Sequence, residues 1–190
     1  MRAFLILGGL WVAAGVAQAA LVPDLLPAFV RPDVGLLLGL AGIAYLRRET
    51  AILFLFALGA QADLLGSARF GLLTLGYLAA GALLLAASRE VVRAGVSGAW
   101  LGTLAGTAVA HAGYVLVGWP CGVRVGLADA LSTLGSLLLG AALFGLATAW
   151  GLNRLWSWTG LLSPEARGLR DAARKTRGWR MAWASTRRSP

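Results

Sequence analysis

The sequence predicts an all-α integral membrane bundle of six transmembrane helices, followed by a basic cytoplasmic C-terminal helix. Three observations predict it. Hydrophobic residues make up 58% of the 190 positions and charged residues only 13%, where a soluble domain carries about a quarter charged residues. The apolar residues gather into six runs separated by short charged or glycine-rich breaks. Of the 17 basic residues, nine fall in positions 153–190, beyond the last apolar run. This composition excludes an ordinary soluble enzyme, a disordered chain and a collagen-like repeat. A lone cysteine, Cys121, forms no internal disulfide and carries no information on redox compartment.

The six runs are roughly 3–22, 34–46, 51–66, 70–87, 98–119 and 126–152. A hydrocarbon core about 30 Å thick asks for about 20 residues of helix, so the second and third runs are short. Pro32 stands just ahead of the second run, at a position whose missing N–H costs nothing. The break 46–50 reads Leu, Arg, Arg, Glu, Thr, a tight charged turn. Such short connections place neighbouring helices antiparallel. Small residues recur along the spans, among them Gly35, Gly39 and Gly42 on the second and Gly98, Gly102 and Gly106 on the fifth. Close backbone approach between helices needs such residues in lipid.

The positive residues set orientation. With the N-terminus inside, the inner loops hold Arg2, Arg47, Arg48, Arg89, Arg93 and the tail, and the outer loops hold only Arg31, Arg69 and Arg124. Both termini are then cytoplasmic, and the chain divides into a six-span domain, 1–152, and a basic tail, 153–190. A rival reading takes Ala17-Gln18-Ala19 as a signal-peptide cleavage site, leaving five spans.

The tail holds a net charge of +7 out of the chain's +9. Ser163, Pro164 and Glu165 make a helix start. Leu169, Ala172, Thr176, Trp179 and Trp183 then recur at spacings of three and four, with Arg167, Arg170, Arg174 and Arg177 largely opposite, and Lys175 among them. The pattern predicts an interfacial amphipathic helix on anionic lipid, its tryptophans at head-group level. A basic excess beside an apolar body favours lipid over nucleic acid as the partner.

Ionisable residues within apolar spans normally face protein or water. Asp63, His111 and Asp129 are the candidates, and with Gln61 they map to the outer half of the bundle, as do Gln18, Thr74, Tyr77, Tyr114, Ser132 and Thr133. The inner half is almost purely apolar. The asymmetry predicts an outward polar pocket containing Gln61, Asp63, His111 and Asp129. Asp63 stands out because a carboxylate near a helix C-terminus is unfavourable; Arg69 is its candidate partner. No nucleophile with base and orienter, no phosphate-binding glycine loop and no metal-ligand spacing is present. The expectation is a non-enzyme without cofactor or metal.

Arg31-Pro32-Asp33 opens the second span. Gly59-Ala60-Gln61-Ala62-Asp63-Leu64-Leu65-Gly66-Ser67-Ala68-Arg69-Phe70-Gly71 closes the third and leads into the fourth, with Leu75 and Tyr77 beyond. Over positions 30–90 this resembles the MreD family of bacterial rod shape-determining proteins. The other spans agree in length and hydropathy, and the arginine-rich tail is longer than the usual family ending. The resemblance implies a non-enzymatic inner-membrane subunit of the cell-elongation complex. It would bind an MreC-type bitopic protein, work alongside the other elongation subunits and support regulated peptidoglycan synthesis. It further implies that Pro32, Asp33, Gly59, Asp63, Phe70 and Gly71 matter. Asp63 and Gly71 would hold the turn between spans three and four, with Phe70 an apolar plug near a partner. The rival class is the substrate-binding subunit of an energy-coupling-factor vitamin transporter, also six-spanned with an outward pocket.

Overall fold

The computed structural model describes residues 2–27, 29–66, 70–87, 90–91, 95–159 and 167–168. Among them the chain is all helical. The helices are α1 (Arg2–Val16), α2 (Val34–Ile43), α3 (Arg48–Leu65), α4 (Leu72–Ala86), α5 (Gly95–Gly118) and α6 (Leu127–Thr159). A π-helical turn, Ala17–Leu21, and a last helical turn, Val22–Leu25, extend α1. Three stretches are long and apolar enough to cross a membrane: Ala3–Leu25, Gly95–Gly118 and Leu127–Thr159. Val34–Ile43 and Leu72–Ala86 are apolar but shorter, and α3 carries Arg48, Glu49 and Asp63 within its 18 residues.

The shortest helix is the hub. At about 1.5 Å per residue, the ten residues of α2 cover about 15 Å, half a bilayer core. Eight of them are buried, and α2 packs against α1, α3, α4, α5 and α6. A helix apolar on every side belongs inside protein. Its glycines make the packing close. A Cβ on Gly39 would lie 2.3 Å from the Leu55 side chain. On α5, a Cβ on Gly106 would lie 2.5 Å from Leu40 Cδ1.

The outside of the bundle is the reverse of a soluble protein's. Phe4, Leu5, Leu53, Phe56, Leu116, Leu143, Trp150 and Trp158 are all exposed. An apolar exterior this extensive suits hydrocarbon as the surrounding medium. At the other end of α6 from its start, Trp156 is fully buried against the core. The helix therefore runs through 153–159, past the expected end of the membrane domain at 152, because Leu152, Leu155 and Trp156 continue its packing face.

In α1 the Val22 amide bonds the Ala17 carbonyl five residues back. Pro23 follows, with no amide to continue the ladder. The wider turn changes the helix's phase, and the Gln18 side chain there reaches across to α2.

Candidate functional site

Two buried helix N-termini lie at the same end of the bundle, each sealed by a carboxylate. Asp33 is the N-cap of α2: its Oδ1 accepts from the Leu36 amide at 2.9 Å. Gln18 Oε1, on the π turn of α1, accepts from the Val34 amide at 2.9 Å. Two of the donors that a helix start leaves unpaired are thus satisfied, one from the local sequence and one from another helix.

The N-terminus of α4 is capped wholly from outside itself. Asp63, in the last turn of α3, is 3% exposed. Its Oδ2 accepts from the amides of Gly71 and Thr74 at 3.0 Å each and from the Thr74 hydroxyl. Its Oδ1 accepts from the Leu73 amide at 2.9 Å. The positive end of α4 thereby compensates the misplacement of a negative charge at the C-terminus of α3. Gly71 stands at φ +98°, a left-handed conformation open to glycine, and this turns its amide and the first turn of α4 onto the carboxylate.

Tyr77 joins the two caps. It is on α4, one turn beyond Leu73, is 1% exposed, and donates its hydroxyl to Asp33 Oδ1. Gly59 sets how closely α3 meets α4, since a Cβ there would be 2.8 Å from the Thr74 Cα. Pro32 is buried against α6: a Cβ on Gly140 would be 2.6 Å from the Pro32 nitrogen. Beside it the Arg31 amide donates to Ser136 Oγ at 3.2 Å. Pro32, Asp33, Gly59, Asp63 and Gly71 thus belong to one packed assembly. Phe70 does not; it is 71% exposed, next to the capped turn.

Among the described residues, the four expected to share an outward pocket are not gathered in the cavity at this end. A cavity of about 290 Å³ opens at this end, lined by Asp33, Tyr77, Thr107, His111, Tyr114 and Thr133 with Leu36, Leu73, Ala110 and Leu137. Of the expected four, only His111 lines it. Asp63 is turned into the α4 cap. Gln61 donates to the Trp11 carbonyl at 3.0 Å, across the α1–α3 contact where Trp11 also donates to the Ala57 carbonyl. Asp129 is exposed in the first turn of α6, where its charge suits the helix N-terminus. His111 Nε2 lies 3.0 Å from the Ala130 carbonyl, tying α5 to α6.

Arg69 lies outside the described residues, as do Arg170, Arg174, Lys175, Arg177, Trp179 and Trp183. Arg167 is exposed and helical. Among the described residues no group of three or more His, Cys, Asp or Glu is placed to hold a metal ion.

Sequence reasoning missed Gln18 as a cap, and Ser136 and Gly140 as the seat of Arg31 and Pro32. A glutamine in an alanine-rich span signals a buried polar contact but not its partner. A glycine in α6 signals close approach but not to which segment. Comparison of the chain with protein-family models, curated proteins and solved structures yields no match.

Proposed function

We propose that the chain is a non-enzymatic subunit of the bacterial cell-elongation complex, of the MreD type, crossing the inner membrane six times with both termini in the cytoplasm. The observation that carries this reading is the convergence of the motif residues. Pro32 and Asp33 on one side, and Gly59, Asp63 and Gly71 on the other, are some thirty residues apart in sequence, yet Tyr77 and Thr74 join them. Their bonds go to backbone amides and hydroxyls, which fixes helix ends and leaves the exposed Phe70 beside them for a partner. That is the work of a scaffold.

The six-span reading takes the buried α2 as one of the spans. A helix of half-bilayer length is tolerable at membrane depth when protein surrounds it and its free amides are capped, and α2 meets both conditions. The orientation is supported by charge: fourteen of the seventeen basic residues fall on the side of the N-terminus. The partner in this reading is an MreC-type bitopic protein on the periplasmic side. The basic tail would rest on anionic lipid. Depleting the protein in a rod-shaped host should give rounded cells; rods that keep their shape under full depletion contradict the reading.

One observation favours a second reading, a substrate-binding subunit of an energy-coupling-factor transporter. It is the cavity beside Asp33 and His111. A purified chain retaining a vitamin would support that alternative.

A further inference from the structure

The cavity's wall has an unbalanced hydrogen-bonding capacity. Six polar side chains line it, and three have already committed a proton to the protein. The Tyr77 hydroxyl donates to Asp33 and the Thr107 hydroxyl donates to the Thr103 carbonyl at 2.7 Å. Neutral His111, whose Nε2 faces the Ala130 carbonyl at 3.0 Å, must carry its hydrogen there, leaving a lone pair on Nδ1. Asp33 has no proton to give when ionised, and its Oδ1 already accepts from the Leu36 amide and the Tyr77 hydroxyl. Four of the six groups can therefore only accept, while the Tyr114 and Thr133 hydroxyls can do either.

The geometry points to a binding site for a primary ammonium group on a small organic head, seated between Asp33, Tyr77, His111 and Tyr114. An ammonium supplies three donors and a positive charge, matching a carboxylate and the lone pairs of the hydroxyl and imidazole groups beside it. The volume, about 290 Å³, is far more than a bare ion needs, and Leu36, Leu73 and Leu137 offer apolar wall for carbon. With Asp33, Leu73 and Thr133 in its wall, the cavity lies at the end where α2, α4 and α6 begin. A phosphatidylethanolamine head group and a free amine present the same chemistry there. The inference rests on neither of the two functional readings above.

The test places the full-length chain in nanodiscs of phosphatidylglycerol and measures, by native mass spectrometry, retention of added phosphatidylethanolamine against phosphatidylcholine. A trimethylammonium has no N–H to donate, so the expected preference for ethanolamine lipid is about tenfold, the factor one lost charge-assisted hydrogen bond carries. Displacement of that lipid by millimolar ethanolamine assigns the site to soluble amines, and persistence assigns it to the lipid. Asp33→Asn should erase the preference while the melting temperature holds, because Asn caps a helix as well as Asp. Equal retention of the two lipids by the wild-type chain overturns the inference, whatever the variant's folding. So does an Asp33→Asn protein that keeps the preference, or saturable binding of sodium with no preference for the amine.

Discussion

Replacing Asp63 by leucine removes the acceptor for three backbone amides and one hydroxyl at once. Each buried donor left unpaired costs about 1–3 kcal/mol. Gly71 lies at the rim, where water can reach its amide, so the expected loss is about 4 kcal/mol, a large part of a typical domain stability of about 5–15 kcal/mol. Asp63→Asn is the informative companion. Its amide oxygen in place of Oδ2 keeps the bonds from Gly71 and Thr74, but its NH₂ group then faces the Leu73 amide, for a loss of about 2 kcal/mol. Unfolding of the purified chain in mixed micelles with increasing denaturing detergent, followed by far-UV circular dichroism, ranks wild type above Asn above Leu. A leucine variant that unfolds with the wild-type midpoint refutes the capping role. Equal losses for Asn and Leu would also refute it, since charge rather than acceptor geometry would then decide.

Further outcomes follow from the same packing. Gly59→Ala and Gly140→Ala each drive a methyl against backbone, Thr74 Cα at 2.8 Å and the Pro32 nitrogen at 2.6 Å, and should cost about 1–3 kcal/mol in the same unfolding assay. Gly8→Ala and Gly9→Ala meet nothing within 4 Å, so they should be neutral or gain up to about 1 kcal/mol through helix propensity. Gly71→Ala, also unobstructed but at φ +98°, should lose about 1–2 kcal/mol to backbone strain. Removing 164–190 should leave insertion intact and reduce flotation with anionic liposomes; flotation equal to that of the full chain would contradict an interfacial tail.

The all-helical class and the six main helices among the described residues could be read directly, because hydropathy and charge breaks act locally along the chain. The ends of α2 through α5 lie within about three residues of the runs that predict them, since Asp33, Arg47 and Gly71 are local stop or start signals. The ends of α1 and α6 were less legible. Nothing in the alanine-rich 13–21 marks a π turn, and Trp156 looks like an interfacial residue until its burial is seen. The importance of Asp63 was legible from the conflict between its charge and its position near a helix C-terminus. Its backbone donors were not: they are the first-turn amides of the next helix, which have no sequence signature, and the candidate partner Arg69 lies outside the described residues. The pocket failed as an expectation for a related reason. Placing residues in the outer half fixes their depth but not their azimuth, and depth alone put Gln61 and Asp129 beside His111 when they point elsewhere.

Purification of the tagged chain from native membranes, with its bound proteins and small molecules identified together by mass spectrometry, bears most directly on the scaffold reading. It predicts a stoichiometric single-span protein with a periplasmic coiled coil, reduced when Asp63 is leucine in protein still present at wild-type yield. A vitamin and an ATP-hydrolysing module recovered in place of that partner would contradict it.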